Sequence, residues 1–339
     1  MPITLADVAR QSGVSVKTVS RVINNEAPVA DETRARVLAV VEALGYTPNQ
    51  SARRLARGQS GLVGLCMYDA TPAYLMDVIN GLMDVGDSLG LGLSLYRVNV
   101  RDDHEVDHVI AQASQRQVEG LIFTPPCDNA PRLIDALYSM HFPFVQLTPH
   151  ERCSQCAWVA ATDEAGSYQA ARYLLDLGHT RIAFIQGNRD HQASWDRLRG
   201  YQRALREAGI PEDAAYTKQG SWTFESGLEQ AQSLLHLATP PTAIMAGNDE
   251  AAAGILQALW ERGWRCPDDV SVIGFDDVPL SRQVTPPLTT VKQPIYDIAR
   301  RAMSLLGALI EGKSAATTVE VPAELVIRAS TARPSSNAR

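Results

Sequence analysis

A polar helix face near the beginning of the sequence carries hydrogen-bond donors that could recognise a nucleic acid. Its side chains are Lys17, Thr18, Ser20 and Arg21. The apolar residues Val19, Val22 and Ile23 are spaced i, i+3 and i+4, so they share the opposite face of the same helix. Lys and Arg donate to phosphate oxygens and to guanine edges. An alternative is that this face is only the solvated side of a small helical subdomain.

A second set of side chains, far along the chain, could bind a small molecule rich in hydroxyl groups. Its members are Arg197, Trp222, Asn248 and Asp276. Arginine offers a fork of donors, the amide and carboxylate offer acceptors, and an indole offers a flat apolar surface. Three alternatives remain: Asp276 only caps a turn, Trp222 belongs to the core, or Arg199 rather than Arg197 points inward.

Two other kinds of chemistry find little support in the sequence. His150, Cys153 and Cys156 could hold zinc or form a disulfide, but no second ligand pair lies at a suitable spacing, which favours a surface loop. No GxGxxG or GxxxxGK[ST] motif is present, so no nucleotide cofactor is predicted. We therefore expect no metal, no cofactor and no enzymatic activity.

The composition limits the class of protein further. The 339 residues are 45% hydrophobic and include 5 cysteines, which is ordinary for two or three globular domains in a reducing compartment. There is no long apolar run and no secretory signal pattern, so we expect a cytoplasmic, nucleoid-associated protein without membrane contact. Residues 1–60 have an excess of basic over acidic side chains, although the whole chain has a net charge of −7. A basic head on an acidic body favours polyanion binding by the head.

The elements of the head have recognisable boundaries. Thr4 and Asp7 have the spacing of a capping box, Gly13 permits a turn, and Ser15 can cap a second helix that carries the polar face. A third helix is predicted from about residue 31 to 43. Its inward residues are Val37, Leu38, Val41 and Leu44, and Gly45 ends it. Two short helices joined by a glycine-containing turn, with a third covering them, are typical of a helix-turn-helix.

Residues 49–60 permit a helix but have almost no apolar face. Only Leu55, with the small Ala52 and Ala56, could pack against a partner. Such a segment is marginally stable alone and is expected to fold on a partner. The alternative is a charged interdomain linker.

The remaining residues alternate strand-like and helix-like segments, as α/β domains do. The predicted strands are 62–67, 92–96, 120–123, 144–147, 181–185, 243–246 and 270–274. The predicted helices are 75–89, 105–117, 130–139, 164–177, 195–208, 225–236 and 249–262. Similar segments in the two halves predict two doubly wound units with a ligand cleft at the carboxyl ends of their strands.

The head closely resembles the lactose-repressor (LacI/GalR) family over about sixty positions. The matching motifs are Thr4-Leu5-Ala6-Asp7-Val8-Ala9, Gly13-Val14-Ser15, Thr18-Val19-Ser20-Arg21-Val22 and Leu44-Gly45-Tyr46-Thr47-Pro48-Asn49. The resemblance implies that Val16 and Lys17 select operator bases and that Arg21 reads guanine. It also implies DNA contacts, mostly to phosphates, from Thr4, Leu5, Thr18, Ser20, Asn24, Asn49 and Ala52. Leu55 stands where the family inserts a leucine into the minor groove.

The body resembles the periplasmic-binding-protein-like core of the same family. At positions that contact an effector in the family, the chain has Tyr68, Asp69, Tyr74, Thr124, Pro126, Arg197, Trp222, Asn248, Asp276 and Gln293. Gln146 stands where several sugar-responsive members have an acid. The resemblance therefore implies a small-molecule effector, a sugar or alternatively a purine or nucleoside.

The resemblance also implies the overall organisation. The expected parts are a helix-turn-helix headpiece at 1–48, a hinge at 49–60, an effector-binding and dimerisation domain at 61–332, and a disordered tail at 333–339. The core is expected to contain subdomain one, about 61–161 and 292–321, and subdomain two, about 162–291 and 322–332. A homodimeric repressor of a carbohydrate operon on a pseudo-palindromic operator is the predicted function. A protein of another functional class, a small-molecule-binding module without a DNA role, is the alternative, but such a protein would lack this head.

Overall fold

The computed structural model describes residues 3–23, 28–46, 60–68, 70–150, 152, 156–313 and 317–335. These residues form two compact units, one within Met1–Gln59 and the other within Ser60–Arg339. Among the predicted site residues, Asn24, Asn49, Ala52, Leu55 and Asp69 lie outside the described residues, as does Cys153.

The described residues of the first unit form three helices with the predicted caps. They are α1 (Leu5–Ser12), α2 (Val16–Ile23) and α3 (Asp31–Leu44). Thr4 Oγ1 accepts a hydrogen bond from the Asp7 backbone amide, and the Asp7 carboxylate accepts one from the Thr4 amide at 3.0 Å, so the capping box is formed. Gly13 ends α1 with a φ of 69°. The Ser15 hydroxyl caps α2 by accepting from the Thr18 amide at 3.1 Å.

Five buried residues form the core of this unit: Val8, Ala9, Val19, Val22 and Val37. The prediction that Leu38 faces inward is wrong, because its side chain is 48% exposed. On α3 the inward stripe runs from Val37 through Val40 and Val41 to Leu44, which is the i, i+3, i+4, i+7 spacing. Leu38 is one residue, or about 100°, away from the fully buried Val37 and therefore faces outward.

The second unit contains two mainly parallel sheets, each covered by helices on both faces. The first sheet has the order β2-β1-β3-β4-β5-β11. Its strands are β1 (Leu62–Met67), β2 (Gly92–Arg97), β3 (Gly120–Phe123), β4 (Phe144–Leu147), β5 (Trp158–Ala161) and β11 (Thr318–Val321). Its helices are α4 (Pro72–Leu89), α5 (Asp103–Ser114), α6 (Pro131–Ser139) and α12 (Ile295–Ile310). We call this sheet and these helices lobe one.

Lobe two has the same strand order with one antiparallel edge. Its sheet runs β7-β6-β8-β9-β10-β12, and only the β10–β12 pair is antiparallel among the described pairs. The strands are β6 (Ile182–Gln186), β7 (Thr217–Gln219), β8 (Ala243–Ala246), β9 (Ser271–Asp276), β10 (Thr289–Lys292) and β12 (Glu324–Val326). The helices are α7 (Asp163–Asp176), α8 (Gln192–Glu207), α9 (Phe224–Leu235), α10 (Asp249–Glu261) and α11 (Leu280–Gln283).

Every strand and helix predicted in the body is present, with ends that differ by a few residues. The sequence pattern did not single out β5, β7, β10, β11, β12, α11 or α12. All five of these strands have only three or four residues, and β7, β11 and β12 are edge strands with at most one buried residue, so they lack the buried apolar run of β3, β4 and β8. α12 is amphipathic, and its apolar face packs on sheet one through residues such as Ala299 and Met303.

The chain passes between the lobes at three places. These connections follow β5, β10 and β11, so each lobe is built from separated stretches of sequence. Near two of them the Thr162 hydroxyl accepts a hydrogen bond from the Ala323 amide at 3.0 Å. Of the tail, residues 333–335 are described and 336–339 are not. No helix among the described residues combines the length and apolar character needed to span a bilayer.

Candidate functional site

The outward face of α2 carries the side chains that the sequence predicts to read DNA. Val19 and Val22 hold the helix in the core, which leaves Val16 and Lys17 exposed at its first turn, with Val16 47% exposed. Thr18, Ser20 and Arg21 are half-buried on the same helix. Exposed side chains at the N-terminal end of the second helix are those that reach base edges in a helix-turn-helix.

Thr4, in contrast, already has a structural role. Its hydroxyl donates to the Asp7 carboxylate at 2.7 Å, and its Oγ1 also accepts from the Asp7 amide. These bonds and the adjacent Arg10 guanidinium lower the pKa of Asp7. The half-buried Leu5 packs against the core of the unit.

A cavity of about 250 Å³ lies between the two lobes of the second unit. Its lining residues lie at or after the carboxyl ends of β1, β3 and β4 in lobe one and of β6, β7, β8, β9 and β10 in lobe two. Six of the predicted effector residues line it: Tyr74, Arg197, Trp222, Asn248, Asp276 and Gln293. The carboxyl ends of the strands are where open α/β sheets bind ligands.

Arg197 points into this cavity and is almost fully engaged by the protein itself. It lies in the second turn of α8, rather than at the predicted helix start, and is 3% exposed. Nε donates to Asp163 Oδ1 at 2.8 Å, and Nη1 donates to the Gly247 carbonyl. Its guanidinium carbon lies 3.7 Å from the centre of the Phe275 ring. Arg199 is exposed and pairs with Asp196 and Glu164 instead, so Arg197 is the inward residue.

Asp276 lies at the end of β9, next to Arg197. Its Oδ1 is 3.4 Å from Arg197 Nη2 and accepts a hydrogen bond of 2.6 Å from Gln293 Nε2. Burial raises the pKa of this carboxyl from 3.8 to about 6, although Arg197 and Gln293 act in the opposite direction. Asp276 also has a φ of 110°, a strained backbone conformation of the kind that accumulates at functional sites.

Trp222 forms one wall of the cavity and has a backbone φ of 67°. Its carbonyl accepts a hydrogen bond of 2.9 Å from the Asn248 side chain, whose Oδ1 caps α10. A Cβ on Gly187 would lie 1.2 Å from the indole Nε1, so only glycine leaves room for the ring. The indole is therefore held in place by local backbone geometry rather than by the apolar core.

Two ionisable residues that the sequence did not single out also line the cavity. His191 is 6% exposed, its Nε2 has no hydrogen-bond partner, and its ring packs edge-on against Trp222 at 4.7 Å. Burial lowers the pKa of His191 to about 4. Glu250 lies in the first turn of α10. Both follow the carboxyl end of a strand, which is the signal that could have found them. The other unpredicted lining residues are Ala70, Thr71, Pro125, Thr148, Asn188, Ala193, Ser221 and Thr223.

Four other candidates are described but do not line the cavity. Tyr68 packs on the core of lobe one beneath Arg97, and the Thr124 hydroxyl donates to the Cys66 carbonyl at 3.2 Å. Pro126 does not line the cavity, whereas its neighbour Pro125 does. Gln146 is 4% exposed within β4. Side chains alternate between the two faces of a strand, so a position at a strand end does not fix which way the side chain points.

The described residues give no support to a metal site. No group of three or more His, Cys, Asp or Glu side chains in this part of the chain is arranged to hold a metal ion. Cys156 is buried within lobe one.

Comparison with known proteins gives consistent matches at both units. The family model for bacterial regulatory proteins of the lacI family matches residues 4–49, and that for the periplasmic binding protein-like domain matches residues 171–331. The chain is 34% identical to catabolite control protein A of Priestia megaterium over 98% of its own length and 100% of that protein.

Two solved structures are also similar over nearly their whole length. The lac repressor dimer bound to operator and the anti-inducer ONPF has a TM-score of 0.76 and 31% identity, over 98% of this chain and 100% of that one. The complex of the transcriptional regulator CelR with cellobiose has a TM-score of 0.75 and 28% identity, over 97% of this chain and 99% of that one. The chain therefore belongs to the LacI family of bacterial regulatory proteins.

Proposed function

We propose that this protein is a transcriptional repressor whose affinity for an operator is controlled by a small molecule bound between the two lobes. The observation that carries the proposal is the presence, in one chain, of a helix-turn-helix with exposed side chains on α2 and a cavity with several hydrogen-bonding side chains at the carboxyl ends of two mainly parallel sheets. The first part supplies sequence recognition, and the second supplies a ligand site that can open or close.

The proposed DNA contacts divide into two kinds. Val16, Lys17 and Arg21 read base edges, whereas Thr18 and Ser20 position the helix on phosphates. Two headpieces are needed for two half-sites, so the working form is a homodimer on a pseudo-palindromic operator. Residues 49–60 serve as the hinge between headpiece and effector domain, and Leu55 contacts the central minor groove.

The proposed effector is a sugar. Arg197, Asn248, Asp276 and Gln293 supply hydrogen-bonding groups for hydroxyls, and Trp222 supplies a flat apolar wall. The relative solved with cellobiose supports this class of ligand. Ligand binding across the cleft favours one arrangement of the two lobes, and operator and effector then influence each other's affinity.

The experiment that tests this function is selection of binding sites from a random duplex pool by the full-length protein. We expect a pseudo-palindromic motif, and a loss of about 1–3 kcal/mol in affinity for it in Arg21→Ala. Arg10→Ala, on the exposed side of α1, is the matched control and should retain the motif. Binding to all duplexes alike would contradict the proposal.

A further inference from the structure

The charges around the cavity are unevenly distributed. Glu250 and Asp276 both line it, and the buried Asp163 lies directly behind Arg197. Among the described lining residues, Arg197 is the sole lysine or arginine. With both carboxylates ionised, the lining carries one positive and two negative charges.

The positive charge of Arg197 is not free to bind an anion. Its guanidinium faces Asp163, Asp276 and the Gly247 carbonyl, and it is stacked on Phe275. Its remaining N–H donors can serve ligand hydroxyls, but a carboxylate or phosphate bound to them would lie close to Asp163 and Asp276, whose two carboxylates already balance the guanidinium.

His191 supplies a polar group without a charge. Because burial lowers its pKa to about 4, its imidazole is neutral at physiological pH. Its buried Nε2 has no partner within the protein, which points to a ligand group as the missing partner. A neutral imidazole pairs well with a hydroxyl group, whereas it adds no charge that would hold an anion.

We propose that the cavity selects an uncharged, hydroxyl-bearing ligand and rejects carboxylated and phosphorylated ones, with Glu250 as a determinant of this selectivity. The proposal rests on the proposed function, because it assigns a ligand chemistry to the same cavity. An acidic wall opposes an incoming anion by like-charge repulsion in a partly desolvated site, while a neutral hydroxyl donates to the same carboxylates.

The experiment compares ligands that differ only in charge. Calorimetric titration of the full-length protein uses the neutral sugars glucose, galactose and cellobiose with their matched acids and phosphates, and hypoxanthine as the purine probe. We expect at least one neutral sugar to bind on the order of a hundredfold more tightly than its matched anions. An anion that binds as tightly as its neutral counterpart, or a panel in which no neutral sugar binds, overturns the proposal.

Two substitutions assign the selectivity to Glu250. Glu250→Gln should reduce the neutral-to-anion affinity ratio about tenfold, because it removes one charge at nearly constant shape. Glu229→Gln removes the same charge from the exposed side of α9 and should leave the ratio unchanged. An unchanged ratio in Glu250→Gln would remove this residue from the selection. Operator selection with the same samples separates failure of the ligand proposal from failure of the proposed function. If the protein binds anions but still selects an operator, only the ligand proposal is contradicted.

Discussion

Arg197 and Asp163 form an ion pair of 2.8 Å whose two side chains are 4% and 0% exposed. Asp163 is the first residue of α7, directly after the chain crosses from lobe one into lobe two, and Arg197 lies on the adjacent α8. Burial raises the pKa of Asp163, and Arg197 opposes that effect. The pair therefore fixes the arginine at the cavity and supports the helix that follows the crossover.

Removal of Arg197 should destabilise the protein as well as weaken ligand binding. In Arg197→Ala the Asp163 carboxylate would remain buried without its partner, which costs about 3–5 kcal/mol in the free energy of unfolding. Chemical unfolding of the ligand-free protein measures this cost. Arg203→Ala, on the exposed side of the same helix, is the control and should change stability little. Equal stability of the two variants would show that the pair contributes nothing.

The stability of the ligand-free protein should depend on pH through Asp276. Because its pKa rises from 3.8 to about 6 on folding, the folded chain retains a proton that the unfolded chain releases between these values. Relative to Asp276→Asn, wild type therefore has an additional free energy of unfolding at about pH 4. This advantage is lost as the pH rises to about 6, a decrease of up to about 3 kcal/mol. Arg197, Asp163, Asp249 and Glu250 are charged groups that interact with this carboxyl.

Unfolding curves of wild type and Asp276→Asn at several pH values test this dependence. The difference between the two proteins reports Asp276 together with its coupling to Asp163, Asp249 and Glu250, whereas carboxylates distant from it cancel. A difference that stays constant with pH, or that grows as the pH rises, would contradict a raised pKa at this residue.

The position of Trp222 should depend on the absence of a side chain at Gly187. A methyl group there would overlap the indole Nε1, which would force the ring out of its place in the cavity wall. We expect Gly187→Ala to weaken binding of the neutral sugar by about tenfold or more, because the apolar wall is lost. Gly92→Ala, where the nearest atom is the flexible Leu62 side chain at 3.2 Å, is the comparison variant. Unchanged affinity in Gly187→Ala would remove Trp222 from the ligand contacts.

The exposed first turn of α2 should set operator preference. Exchange of Val16 and Lys17 for another pair of residues should change the rank order of selected duplexes but leave non-specific affinity and its salt dependence nearly constant. Neither side chain is needed for the core, which Val19 and Val22 maintain. Uniform weakening on every duplex, measured by fluorescence anisotropy, would show that these positions do not read bases.

The sequence could predict much of the head and the fold because local signals determine them. The capping box of Thr4 and Asp7 and the carboxyl-end position of Asn248 follow from short motifs and strand order. The outward position of Leu38 depends on an exact helix phase, and a helix boundary that is uncertain by one residue changes that phase by about 100°. Tyr68 and Thr124 follow strands as Asn248 does, yet they pack into lobe one, because facing depends on packing that no local motif encodes.

Reciprocal titration tests whether DNA binding and ligand binding are coupled in this chain. The affinity of the full-length protein for its selected duplex is measured with and without the tightest neutral sugar, and the sugar affinity is measured with and without the duplex. We expect the sugar to change operator affinity, and the operator to change sugar affinity, by the same factor, on the order of 5–150-fold. Tight binding of both partners with no effect of either on the other would contradict it.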